Sequence, residues 1–157
     1  MVDRDRDEFG NARSSRPRDA LGRPLPHGSQ GVARIPDDLD LSPTDSLTFA
    51  QELLDRGLAF NAHEVLEVAW KKAPDDERGM WQGLAQLAVG ITHVQRGNAV
   101  GAAGVLARAA DHLENGGPAR HGIDVGGLIV FARALIEDLA QNVDRDTDRL
   151  RPRLRAE

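Results

Sequence analysis

The chain contains no cysteine and no tyrosine, and its aromatic residues are limited to four phenylalanines and two tryptophans. Without cysteine there is no disulfide, no thiolate nucleophile and no thiolate ligand for zinc, so any metal site must be built from histidine and carboxylates. Scarce aromatics leave Leu, Val, Ile and Ala to fill the interior, a supply suited to closely packed helices. Positive charge is also short: 20 Lys and Arg stand against 25 Asp and Glu, a net charge of −5. A nucleic-acid surface needs clustered cations to neutralise phosphates, and no helix face supplies them, so no nucleic-acid partner is expected. Long apolar runs are missing as well. No stretch approaches the ~18 residues needed to span a bilayer, and the charged segment Met1–Gly10 lacks the apolar run of a secretion signal. The expectation is a soluble, cytoplasmic protein with no membrane partner. A homo-oligomer is compatible with the composition, and other partners are unknown from sequence.

At 157 residues the chain has room for one ordinary core, since a second would leave too little apolar surface for either. Residues 1–41 hold four of the eight prolines and no helical apolar period, which reads as an extended or disordered N-terminal arm that cannot bury enough surface to offset its ordering entropy. Leu21, Leu25, Val32 and Ile35 in that arm are candidates to dock against the domain. Residues 144–157 alternate Arg and Asp with little apolar content, predicting a charged tail that is a frayed helix or a solvated polyampholyte.

Between them, residues 42–143 read as an all-α domain, a single up-and-down bundle of about five helices. Ser42-Pro43 starts the first helix, which keeps Leu47, Ala50, Leu54 and Leu58 at helical spacing and reaches Gly57, a residue suited to a left-handed C-cap. Asn61 with Glu64 fits a reciprocal cap for a second helix running to Lys72, ahead of Pro74. Asp75 or Asp76 caps a third, whose stripe of Met80, Leu84, Leu87, Ile91 and Val94 keeps the 3.6-residue period up to Gly97. Asn98 caps a fourth, where Gly101 and Gly104 suggest a close helix crossing. Asp124 caps a fifth with Leu128, Ala132, Leu135 and Leu139. Short connections favour antiparallel neighbours.

Chemistry has few places to reside. On a helix, positions four and seven residues apart point nearly the same way, so His63, Glu67 and Trp70 share one face beside the apolar arc of the second helix. The third helix, apolar around most of its circumference, carries Gln82, Gln86 and His93 in one narrow sector. If that sector faces the second helix, His63, Glu67 and His93 form a metal-ligand set suited to zinc, iron or manganese, and Gln82, Gln86 and Trp70 become contacts for a bound cofactor or ligand. The same spacing also builds a structural hydrogen bond, and Gln82, Gln86 and His93 would then meet water. Arg108 and His112, one turn apart, read as a solvated face. No HExxH, GxSxG, phosphate-binding GxxxxGK[ST] or dinucleotide GxGxxG motif is present, which leaves nucleotide and hydride chemistry without support and no catalytic residue to name.

The stretch from His63 to Trp70, HEVLEVAW, resembles the HxxxExxW signature of the DUF309 family of helical proteins. The likeness continues through WQGLAQLA at 81–88, His93 and Arg96-Gly97-Asn98, covering about residues 43–115. The resemblance implies an all-α fold and a metal role for His63 and Glu67, with Trp70 as the aromatic member of the signature. It implies no established activity. The functional expectation is therefore a metal-binding helical domain, with a metal-dependent hydrolase as its enzymatic form; the alternative is a non-enzymatic interaction or small-ligand module in which His63 and Glu67 are a buried polar pair.

Overall fold

The computed structural model describes residues 5–6, 12–13, 19–23, 35–36, 38–141 and 150–156. Helices fill the region expected to be helical: α1 (Pro43–Asp55), α2 (Ala59–Lys72), α3 (Arg78–Gln95), α4 (Ala99–Asn115) and α5 (Val125–Ala140). A 3-10 turn, Asp75–Glu77, leads into α3, and a short antiparallel pair, β1 (Asp5–Arg6) with β2 (Ala12–Arg13), lies in the N-terminal arm. The all-α class holds, and each helix packs on its neighbour in the chain, α3 on α4 most extensively. α3 runs antiparallel to its neighbours: Gln95 at its end donates to the Gly57 carbonyl just before α2 at 3.0 Å, and Gly83 faces Leu113 of α4 while Gly90, two turns on, faces Leu106. Arg133 in the middle of α5 meets Glu114 at the end of α4 at 2.7 Å. Leu47, Leu54, Leu66, Leu84, Ile91, Leu106 and Leu135 are fully buried between these layers.

Local signals explain most boundaries. The Ser42 hydroxyl accepts from the Asp45 amide at 3.1 Å, with Pro43 pre-set at the first helical position. Gly57, at φ +76°, ends α1 with the paired bonds of a Schellman motif, Gly57 N to Leu54 O at 2.9 Å and Leu58 N to Leu53 O at 2.8 Å. Gly97 closes α3 in the same way, and the side chains of Asn98 and Asp124 accept from Gly101 and Gly127 to start α4 and α5.

Several expectations need correction. Helix α2 starts at Ala59 rather than behind an Asn61 cap, because the Schellman turn delivers Leu58 directly into position for its carbonyl to accept from Ala62. Asn61 is thus inside the helix and buried, its amide donating to Glu64 at 3.4 Å. No side chain caps α3, since the 3-10 turn feeds into it. The close helix crossing exists, but not at Gly101 or Gly104, where an added Cβ would meet the helix's own Asn98 or nothing nearer than 3.8 Å. It is made by α3: a Cβ on Gly83 would press into Leu113 at 2.9 Å, and one on Gly90 would collide with Leu106 at 2.5 Å.

The C-terminal segment is the largest departure. Residues 150–156 are neither frayed helix nor solvated chain. Pro152 and Leu154 are buried, Leu154 N donates to Gln51 Oε1 at 2.8 Å, and Gln51 Nε2 donates to Pro152 O at 2.9 Å. An isolated bridge pairs Arg155 with Ile123. Leu150, Pro152 and Leu154 recur every second residue, the period of an extended strand, which a search for helical spacing passes over. The segment ties α1 to the loop before α5. In the arm, Ile35 is buried in the core and Leu21 is half-buried. Arg96 fastens this part by donating from Nε to Leu21 O at 2.8 Å, while Arg23 donates to Arg96 O at 3.2 Å. Leu25 and Val32, most of the remaining arm and residues 142–149 lie outside the described residues.

Candidate functional site

Two turns of α2 place His63, Glu67 and Lys71 in one row. The Phe60 carbonyl, 3.2 Å from His63 Nδ1, can only accept, so Nδ1 is the donor of that bond and Nε2 is turned toward Glu67. Nε2 lies 2.8 Å from Glu67 Oε2, and Lys71 Nζ approaches the other carboxylate oxygen, Oε1, at 2.9 Å. The side chains of His63 and Glu67 are 19% and 37% exposed, so the pair sits in the wall of the domain, neither in the core nor free in water. The hydrogen bond from His63 holds the Glu67 carboxyl at about 2, against the opposing effect of its partial burial and with help from Lys71. The Phe60 ring tilts over His63 at a centroid separation of 5.4 Å, and the Arg96 guanidinium lies over the same Phe60 ring, 5.9 Å from its centroid. Trp70 is half-buried and packs on the core edge.

The polar sector of α3 does not turn to this row. Gln86 faces α4, where its Oε1 accepts from His112 Nδ1 at 2.6 Å. His93 Nδ1 accepts from the Asn98 amide at 3.2 Å, at the corner between α3 and α4. Gln82 is half-buried on the same helix. Among the described residues no three His, Asp or Glu side chains gather as a metal-ligand set. The structure therefore brings His63 and Glu67 together and gives His93 and Gln86 other partners. The physical reason lies in the glycine-lined face of α3, which draws α4 into the closest crossing and takes the neighbouring polar sector with it. His112, expected on a solvated face, is half-buried for the same reason.

A second His–Glu pair escaped the sequence reading. Glu77, in the 3-10 turn, receives His121 Nε2 at 2.6 Å and Trp81 Nε1 at 3.3 Å, both on Oε1. Its side chain is 13% exposed, that of His121 27%. Burial pushes the Glu77 carboxyl up, but the His121 and Trp81 hydrogen bonds, with Arg120 nearby, outweigh it and leave the group below its ordinary value. His121 holds a left-handed backbone, φ +56°, which a residue with a Cβ adopts only when its surroundings fix it. Only the Glu77–Trp81 spacing of four residues was visible in advance; His121 arrives from 44 residues away.

A helical domain carrying a His–Glu turn on its second helix is the class that fold and site define. Residues 47–105 match the family described as Domain of unknown function (DUF309), so the resemblance read in the sequence is shown over the stretch from α1 into α4. The uncharacterized protein YpuF of Bacillus subtilis (strain 168) is 34% identical over 87 residues, 51% of this chain and 48% of the relative. The chain thus spans about half the length of that curated relative. No solved structure matches. Among the described residues no helix is long and apolar enough to cross a membrane.

Proposed function

We propose that the chain is a non-enzymatic binding module in which His63 and Glu67 form a structural polar pair. One observation carries this reading: both imidazole nitrogens and both carboxylate oxygens of the pair are already engaged by Phe60, Lys71 and each other. A group that satisfies itself within one helix needs no ion to justify its partial burial. Metal analysis of tag-free protein tests the reading. The expected result is no stoichiometric metal and a melting temperature that chelator leaves unchanged. A metal-dependent rise in melting temperature that disappears in His63→Ala and Glu67→Gln would refute it.

A second reading is supported by the Phe60 contact. Fixing Nδ1 on a backbone carbonyl is how proteins orient a histidine whose Nε2 binds metal, and Glu67 stays ionised one turn away. Zinc, iron or manganese would find two protein ligands there, where protein zinc sites supply three or four. His93, bonded to Asn98, does not complete the set. The residues present do not make a full site, so no hydrolytic step is assigned to it. Contacts of Trp70, Gln82 and Gln86 with a bound group belong to this reading alone. Saturable binding of one zinc ion, abolished by either His63→Ala or Glu67→Gln, is the result that would select it.

A further inference from the structure

A pocket of about 280 Å³ opens at the end of the bundle where the approach to α1, the last turns of α2 and the start of α3 converge. Leu39, Leu41, Val68, Ala69 and Trp81 form its apolar walls. Helix interiors keep few voids larger than a water molecule, and this one is bordered by a largely buried carboxylate, Glu77. It is separate from the His63–Glu67 row, none of whose residues lines it.

The charges around the pocket are not equivalent. Lys72 is already engaged, donating to the Leu39 carbonyl and lying 3.5 Å from Asp40. Glu77 is engaged through Oε1 alone, and among the described residues no group is bonded to Oε2. What the pocket offers a ligand is thus an anionic acceptor beside an indole and aliphatic walls. Ser46 and the Lys72–Asp40 pair complete the polar lining of a mostly apolar site, and such a site selects a ligand with the complementary division. A carboxylate and an aromatic ring together favour a cation, because both a negative charge and the ring face attract it.

We propose that this pocket binds a small primary amine with an apolar body, its ammonium against Glu77 and its chain along Trp81, Val68 and Ala69. The site goes beyond the reading of the His63–Glu67 pair and does not depend on it. The test uses the full chain carrying Trp70→Phe, so that Trp81 alone reports by fluorescence. n-Hexylamine, hexan-1-ol and hexanoate are titrated in turn. Hexylamine should give a saturable change, with the alcohol and the acid at least about ten-fold weaker, a difference of ~1.4 kcal/mol. Glu77→Gln should weaken the amine by at least about ten-fold, Ala69→Leu should abolish binding by filling the pocket, and His63→Ala should leave it unchanged. No saturable change, equal binding of alcohol or acid, or amine binding that survives Ala69→Leu overturns the proposal. Should Glu77→Gln fail to fold, the comparison of amine with alcohol tests the charge requirement; if it folds, unchanged amine affinity likewise overturns the proposal.

Discussion

His63–Glu67 and His121–Glu77 are the same chemical pair built in two ways. The first spans one turn of α2 and holds together whatever the rest of the fold does; the second joins the 3-10 turn before α3 to the loop before α5, across 44 residues. The local pair is more solvated at its carboxylate, 37% exposed against 13% for Glu77. An ion pair within one helix contributes about 1 kcal/mol or less to its own element, whereas a long-range pair positions elements and loses its value only when the assembly opens. The local pair therefore steadies one turn of α2, and the distant one marks where the bundle end is fastened.

The two tryptophans give the largest way to break this comparison. Trp81, buried beside Glu77 and His121, should cost about 3–5 kcal/mol when replaced by alanine, and Trp70→Ala, from a half-buried position, should cost clearly less; urea unfolding of both variants measures the gap. Equal losses would place the two regions on the same footing. Next comes the C-terminal strap that ends at the same loop. Leu154→Ala should destabilise by about 2–5 kcal/mol, a loss that a solvated tail would not show. Glu77→Gln should then cost about 1–3 kcal/mol, because Trp81 and His121 lose a charged acceptor in a secluded place. Glu67→Gln should cost less, and a reversed order would invert the comparison.

Acid supplies the smallest and most specific effect. The folded Glu67 carboxyl lies at about 2 instead of 4.5, so its contribution is complete above the ordinary value and is lost as pH falls from 4.5 toward 2. Because the side chain is 37% exposed and screened by solvent, that contribution is on the order of 1 kcal/mol. The stability difference between the natural chain and Glu67→Gln should shrink over this window in acid unfolding curves.

Much of the fold was legible because it is written locally. Ser42-Pro43, Gly57, Gly97, Asn98 and Asp124 act within a few residues of themselves, and each marks the boundary it was expected to mark. Legibility failed where a partner comes from far away in sequence. The α3 period gave the helix but not its rotation, so the sector of Gln86 and His93 was assigned to α2 when the glycines at 83 and 90 seat α4 there. Nor does any local pattern announce that Leu154 will pair with Gln51, or that His121 will accept a left-handed backbone to reach Glu77. Of the candidate site, the His63–Glu67 contact was readable from its spacing, and the bonds that take Gln86 to His112 and His93 to Asn98 were not.

The central claim, that His63 and Glu67 satisfy each other without an ion, is tested most directly by a double-mutant cycle of His63→Ala and Glu67→Gln, followed by thermal unfolding with excess chelator and again with zinc. A coupling of about 0.5–1 kcal/mol that is the same in both conditions is predicted. A coupling absent in chelator and restored by zinc would contradict the account.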